Sequence, residues 1–387
     1  MAYGNGRGRD MHKGWGVAAA AATAAAAAGV IAGLVACGGG TPPPAPPPTP
    51  VAAFGDTQAT AALPPDDAGS AQAAAAALAA IPAATPWTAL AKNLHGSAAI
   101  GVDRSSVYWI EESDGALRRI PKQRGGVTMD LYSGTGIAFS PGASIAVDAN
   151  DVYWTSATVA GTTKVNTVSR QDKNGGKPSV VASSPFTALQ CVVVDDASVY
   201  WVQGNAVMKA PKSGGPGVGI AGGQTGLDCV AVDDKNVYWS LAGTDKAQFA
   251  DGVIVSAPKA GGAAKVLVKG AEHAANVLVD DKNVYWQNVD KIMKAPKTGG
   301  AEAVLAPAGG AIADIALDDT NVYFTVKGTA ADGTVGRVSK DGGTPTVLAT
   351  GQAQPAGIVV DATSVYWTCQ GTDENQHKDG SVVKLDK

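Results

Sequence analysis

Histidine and cysteine are both scarce in this 387-residue chain, with four of each. The histidines form no His-x-x-x-His and no His-x-Glu pair, so the common short zinc-binding patterns are excluded. There is no Gly-x-Ser-x-Gly nucleophile elbow and no Walker-type loop, and the glycine-rich Gly214–Gly223 leads into no helical pattern. Charge is thin as well: 17% of residues are charged and the net charge is −4, which leaves no basic field for nucleic acid or an anionic membrane. Aromatic residues make up 6%, 22 in all, yet 14 of them stand in seven adjacent pairs. That concentration is the most informative property of the sequence.

Each pair closes a repeated phrase: an apolar run, an Asp, a short polar turn, then Val-Tyr-Trp. It reads Ile-Gly-Val-Asp-Arg-Ser-Ser-Val-Tyr-Trp at Ile100–Trp109 and recurs ending at Trp154, Trp201, Trp239, Trp286, Phe324 and Trp367. The tyrosines are spaced by 45, 47, 38, 47, 38 and 43 residues, and four-stranded propeller blades occupy ~40–45 residues. The fifth repeat supplies four strand-like pieces: Ala275–Val279, Asn283–Gln287, Lys291–Ala295 and Ala301–Leu305. Period-2 alternation turns Val and Trp to one sheet face and Tyr to the other, so the two faces should meet the two flanking blades. One such unit cannot bury its apolar face alone, and neighbours must stack.

The ends indicate a closed ring. The last repeat reaches Lys387 on its third-strand turn, while Ala89–Asp103 matches Val347–Asp361 in length and pattern. Thr88–Lys92 is therefore expected to complete the last blade as a displaced fourth strand, removing exposed edges. The reading is an all-β, seven-bladed β-propeller of four-stranded antiparallel blades over residues 87–387. The phrase Ile-Ala-Val-Asp-x-x-x-Val-Tyr-Trp-Thr, followed by a basic strand and Gly-Gly, resembles the YWTD-type propeller repeats of lipoprotein-receptor ectodomains and their bacterial relatives. This chain departs from that family in lacking the Asp after Trp-Thr and in having seven repeats where the receptors use six blades. The resemblance implies the fold and no particular ligand.

Arg7, Arg9 and Lys13 precede an apolar stretch from Val17 to Ala36, the pattern of an export signal. It ends Leu34-Val35-Ala36-Cys37-Gly38, which resembles the lipobox of bacterial lipoproteins. That resemblance implies a signal peptide over 1–36, acylation of Cys37, and Gly38 directing the chain to the outer membrane or cell surface. An uncleaved anchor helix is the plainer reading of the same stretch. Residues 37–86, rich in Pro and Ala, are expected to form a disordered tether, with Thr41–Pro50 an extended spacer.

An Asp closes the first strand of every repeat: Asp103, Asp148, Asp195, Asp233, Asp280, Asp318 and Asp361. Seven carboxylates could suggest a metal crown; capping of a tight turn explains them without one. A lysine sits at each third-strand turn (Lys122, Lys173, Lys212, Lys259, Lys297, Lys340 and Lys387), and both rings should share one rim.

Function is expected on the opposite rim, where loops are unequal: long at Thr155–Thr167, Leu241–Gly252, Lys327–Gly333 and Cys369–Gly380. The candidates there are His95, Gln190, Asp228, Asp245, Glu272, His273, Asn276, Asp314, Gln354, Asp373 and His377, which differ from blade to blade. Solvated rim histidines are the default for His95 and His273. No catalytic residue and no cofactor is assigned; a calcium ion on the acidic Asp373–Asp379 loop is the one candidate ion, although the alternating Asp/Asn spacing is missing. Cys191 and Cys229 share a register in successive repeats and can bridge if their strands converge within ~7 Å; Cys369 reads as a small buried residue.

The expectation is a lipid-anchored, extracytoplasmic binding or scaffold propeller that recognises a protein or surface glycan through its long-loop rim. It would meet the membrane through its N-terminal lipid alone and bind no nucleic acid. The competing readings are a metal-assisted, lactonase-like hydrolase or lyase at the channel mouth, for which Asp228, Glu272, Asn276 and Asp314 supply the residue types without matching positions, and a structural lipoprotein of the envelope.

Overall fold

Alternation along Val-Tyr-Trp decides how neighbouring sheets meet. In the computed structural model, which describes residues 87–134, 137–139, 142–160, 163–185 and 187–387, seven antiparallel sheets are present. The expected signal peptide and tether, residues 1–86, lie outside the described residues. The tyrosine of each blade packs against the Val and Trp of the next: Tyr108 on Val152 and Trp154, Tyr200 on Val237 and Trp239, Tyr285 on Val322 and Phe324. The seventh interface joins Tyr366 to Val107 and Trp109, so the ring closes. The six tryptophans of these pairs are at most 1% exposed, and burying each aromatic contributes roughly 3 kcal/mol. The core is thus seven inter-blade wedges.

The fifth blade runs Ala274–Val279, Asn283–Asn288, Lys291–Pro296 and Ala303–Pro307, within two residues of the expected pieces. The last blade takes Thr88–Leu94 as its outer strand, antiparallel to Gly380–Asp386, with Ala89 opposite Val383 and Ala91 opposite Val382. Among the described residues there is no α-helix; one short 3₁₀ turn spans Asp245–Ala247. The fold is a closed seven-bladed β-propeller.

Blade two departs from the sequence reading. Thr155–Thr167 is not a loop: Asp151–Ala160 and Thr163–Asp172 form an extended hairpin, paired from Asp151↔Asp172 to Ala160↔Thr163. Its small and β-branched residues (Ser156, Ala157, Thr158, Val159) suit a continued ladder. The inner strand of this blade is broken into Ile137–Ala138 and Ile145–Val147.

One rim is strictly repetitive. Asp195 Oδ1 accepts the amides of Ala197 and Ser198 at 3.0 and 2.8 Å, and Oδ2 accepts the Tyr200 hydroxyl at 2.8 Å. Lys259, from the next blade, reaches the same Oδ2 at 2.6 Å. The arrangement recurs around the ring, from Lys173–Asp103 at 2.7 Å to Lys122–Asp361 at 2.5 Å across the closing interface. Each lysine therefore pairs with the preceding blade's aspartate. Partial burial pushes these carboxyls upward, but the lysine and the two turn amides, joined by the tyrosine at Asp195 and Asp280, outweigh it, bringing Asp148, Asp195 and Asp280 down to about 2.

Candidate functional site

The inner strands carry the channel, and six of the seven hold one extra residue relative to their partners. Between Leu227↔Leu241 and Val230↔Trp239, for example, the inner strand spends one residue more; the same happens between Ala275↔Gln287 and Leu278↔Tyr285. Such β-bulges bend a strand and re-aim its side chains. Cys191 and Asn276 adopt positive φ, 51° and 47°, at these bulges. The bulged residues point into a cavity of about 530 Å³ on the propeller axis, to which every blade contributes.

Four sequence-expected residues meet there: Gln190, Asp228, Asn276 and Asp314. Asp314 Oδ1 accepts the Ile315 amide at 2.8 Å, and Oδ2 accepts the Ile358 amide of the next blade at 3.0 Å. Asp228 Oδ2 accepts the Asn276 amide at 2.9 Å. Ser144 Oγ likewise accepts the Val192 amide at 2.6 Å. Polar side chains on the channel wall therefore hold the next blade's inner strand, and this is a structural share of their role. Burial pushes the Asp314 carboxyl up to about 7, two amides opposing and the field of Asp228 adding to the rise. Burial also raises Asp228, against the Asn276 amide. Both groups keep an edge on the cavity, so they are shielded from bulk water yet reachable by a ligand. A carboxyl titrating near neutrality can exchange a proton or receive a cation at physiological pH.

Cys191 and Cys229 also line the cavity and are joined as a disulfide, with Cα atoms 5.2 Å apart. It clasps the inner strands of blades three and four. Cys369 is buried and free, and burial pushes its thiol up to about 11.

The other rim candidates stand apart from the cavity. Gln354 Nε2 donates to Asp373 Oδ1 at 2.9 Å, and His377 Nε2 lies 3.3 Å from the same oxygen. His95 Nδ1 lies 3.0 Å from Asp114, which also pairs with Arg118. His273 stacks on Phe249 with ring centroids 4.1 Å apart, while Glu272 and Asp245 are exposed. The four-residue lactonase set does not assemble, because Glu272 is not among the cavity residues. Among the described residues no group of three or more His, Cys, Asp or Glu is placed to hold a metal ion. In the acidic loop, Asp379 is occupied by Thr372 N at 2.7 Å, Thr372 Oγ1 at 2.9 Å and Asn375 Nδ2 at 2.8 Å, so it braces the loop itself.

The comparisons place this geometry among known propellers. No protein-family model matches the chain, and no curated protein matches it. The virginiamycin B lyase of Staphylococcus aureus superposes with a TM-score of 0.59 at 13% identity, over 78% of this chain and 98% of that one. The WD40 propeller domain of Doa1 gives 0.57 at 13% identity, over 78% and 98%. A puromycin-hydrolyzing peptidase of Mycobacterium tuberculosis gives 0.55 at 17% identity, over 79% and 54%. The likeness is one of fold.

Three features escaped the sequence reading. Ser144, Lys327 and Gln370 line the cavity without having been singled out individually. Glu111, nearly unexposed, binds Arg118 and accepts the Trp109 indole at 3.0 Å. The loops of blades four and seven share Gly-Thr-Asp-x-x-Gln-x-x-Asp-Gly, at Gly243–Gly252 and Gly371–Gly380. In both, the last Asp binds the Thr amide, at 2.6 and 2.7 Å. That signal was in the sequence and marks a braced loop.

Proposed function

We propose that this chain is an extracytoplasmic binding propeller, tethered through Cys37, which recognises a protein or surface glycan on its long-loop rim and seats part of that ligand in the axial cavity. One observation carries the reading: the two rims differ in kind. The Asp/Lys rim repeats the same bonds around the ring, as a structural girdle does. The other rim is unequal from blade to blade, although the loops of blades four and seven share one motif, and it opens on a cavity of about 530 Å³, within the ~300–1,000 Å³ range of small-ligand pockets. A large part of a macromolecular partner's affinity can rest on one group inserted at such a centre.

The test is binding of the full chain to arrayed envelope glycans and envelope-derived peptides. Filling the cavity with Ala313→Trp, or removing the loop between Leu241 and Gly252, should weaken binding by about tenfold or more. The control Lys235→Glu, on the girdle side, should leave it unchanged. Equal binding by the plugged and loopless variants would sink the proposal. For the tether, Cys37→Ser should move the chain from the membrane to the soluble fraction and abolish palmitate labelling; retention with undiminished labelling would refute acylation at this cysteine.

A further inference from the structure

We propose that the axial cavity receives a protonated amine of its ligand between Asp228 and Asp314; this rests on the reading of the unequal rim as the binding face. The cavity wall is built mainly of small and aliphatic residues from the inner strands, such as Ala98, Val192, Val277 and Ile315. Into that wall are set two carboxylates and, at the mouth, one lysine, Lys327. Among the described residues no ion pair joins Lys327 to either carboxylate, and both acids otherwise receive backbone amides alone. Asp228 is the more open to a ligand: Oδ2 is taken by the Asn276 amide, while Oδ1 accepts no hydrogen bond from the described residues. Asp228 Oδ1 thus remains accessible from the cavity, and a cationic donor is the chemistry that pairs most strongly with such a carboxylate oxygen.

The alternatives fit less well. An anion would meet two acids in a confined space. A bare metal ion is less well served: among the described residues no group of three or more His, Cys, Asp or Glu is placed to hold one. The volume, about 530 Å³, suits an organic group, with the aliphatic wall covering its apolar part. The raised Asp314 carboxyl agrees with a missing counter-charge: without one, it holds its proton up to about 7. The groups that face it are Asp228 across the cavity and Lys327 at the mouth; no histidine lines the cavity.

Calorimetry on the full chain should compare benzylamine with benzyl alcohol and benzoate, which share the ring, and with calcium chloride alone. At pH 8 the amine should bind about tenfold or more tightly than the alcohol, and benzoate should not bind. Between pH 8 and pH 6 the amine's affinity should fall about tenfold as Asp314 takes up its proton. Asp228→Asn, which preserves the acceptor for the Asn276 amide, should cost a similar factor, with circular dichroism confirming the fold; the wild-type pH profile stands in should that variant misfold. Amine and alcohol binding equally, benzoate binding more tightly, or micromolar calcium binding that displaces the amine would overturn the assignment. If the alcohol binds as well as the amine and Ala313→Trp abolishes both, the amine assignment fails and the rim remains the binding face. If no probe binds and the plugged variant retains its envelope ligand, both fail.

Discussion

Each girdle aspartate performs four tasks with two oxygens: it caps two amides, accepts a tyrosine hydroxyl and receives a lysine from the adjoining blade. The buried acids in the channel are their electrostatic opposites, and pH separates the two sets. For Asp148, Asp195 and Asp280 the folded value lies near 2 against 3.8 for the free group, so their stabilisation is complete above the unfolded value and lost as pH falls toward 2. Asp314 has the opposite sign: raised to about 7 when folded, its contribution declines as pH climbs from about 4 to 7. Urea unfolding of the full chain should therefore show maximal stability at about pH 4–5. Asp314→Asn should flatten the decline above that. A wild-type profile still rising at pH 7 would contradict the assignment of Asp314.

At the scale of the strand, the sequence was most informative where the pattern is local. Val-Tyr-Trp fixes a middle strand, and both of its faces are read from alternation. The displaced strand was legible because Ala89–Asp103 copies Val347–Asp361, and the structure extends it only to Leu94. The bulges were not legible: an extra residue per inner strand is a difference in register between two strands, invisible in either one alone. They are also what turns Asp228 and Asp314 toward a common space, so the candidate residues could be named while their convergence could not. Removing the chain up to Leu94 should leave Gly380–Asp386 as a bare edge, lowering Tm by roughly 10 °C or more and promoting self-association. Scanning calorimetry and light scattering measure both; a truncated protein that melts with the intact one and stays monomeric would mean that the closing strand contributes nothing.

The whole molecule divides its labour by rim. Repetition makes the ring rigid on the girdle side, where every blade offers the same Asp, Tyr and Lys. Divergence makes the other side specific, where the wall alternates Ala, Ser, Cys, Asn, Asp and Gly at one register position. The disulfide between Cys191 and Cys229 adds to a polar latch, Gln190 Nε2 donating to the Asp228 carbonyl at 3.2 Å, and fixes two blades beside the cavity. A rigid frame around an asymmetric opening lets a ligand meet a preorganised surface, without ordering costs at the moment of contact.

The shared blade also imposes an order on synthesis. Thr88–Leu94 leaves the ribosome almost three hundred residues before its partner, Gly380–Asp386, and until then it has nowhere to dock. Until that strand emerges the ring stays unlatched, and a product lacking it would leave the last blade without its two outer strands. Closure of the ring therefore waits on the strand of that blade that is made last.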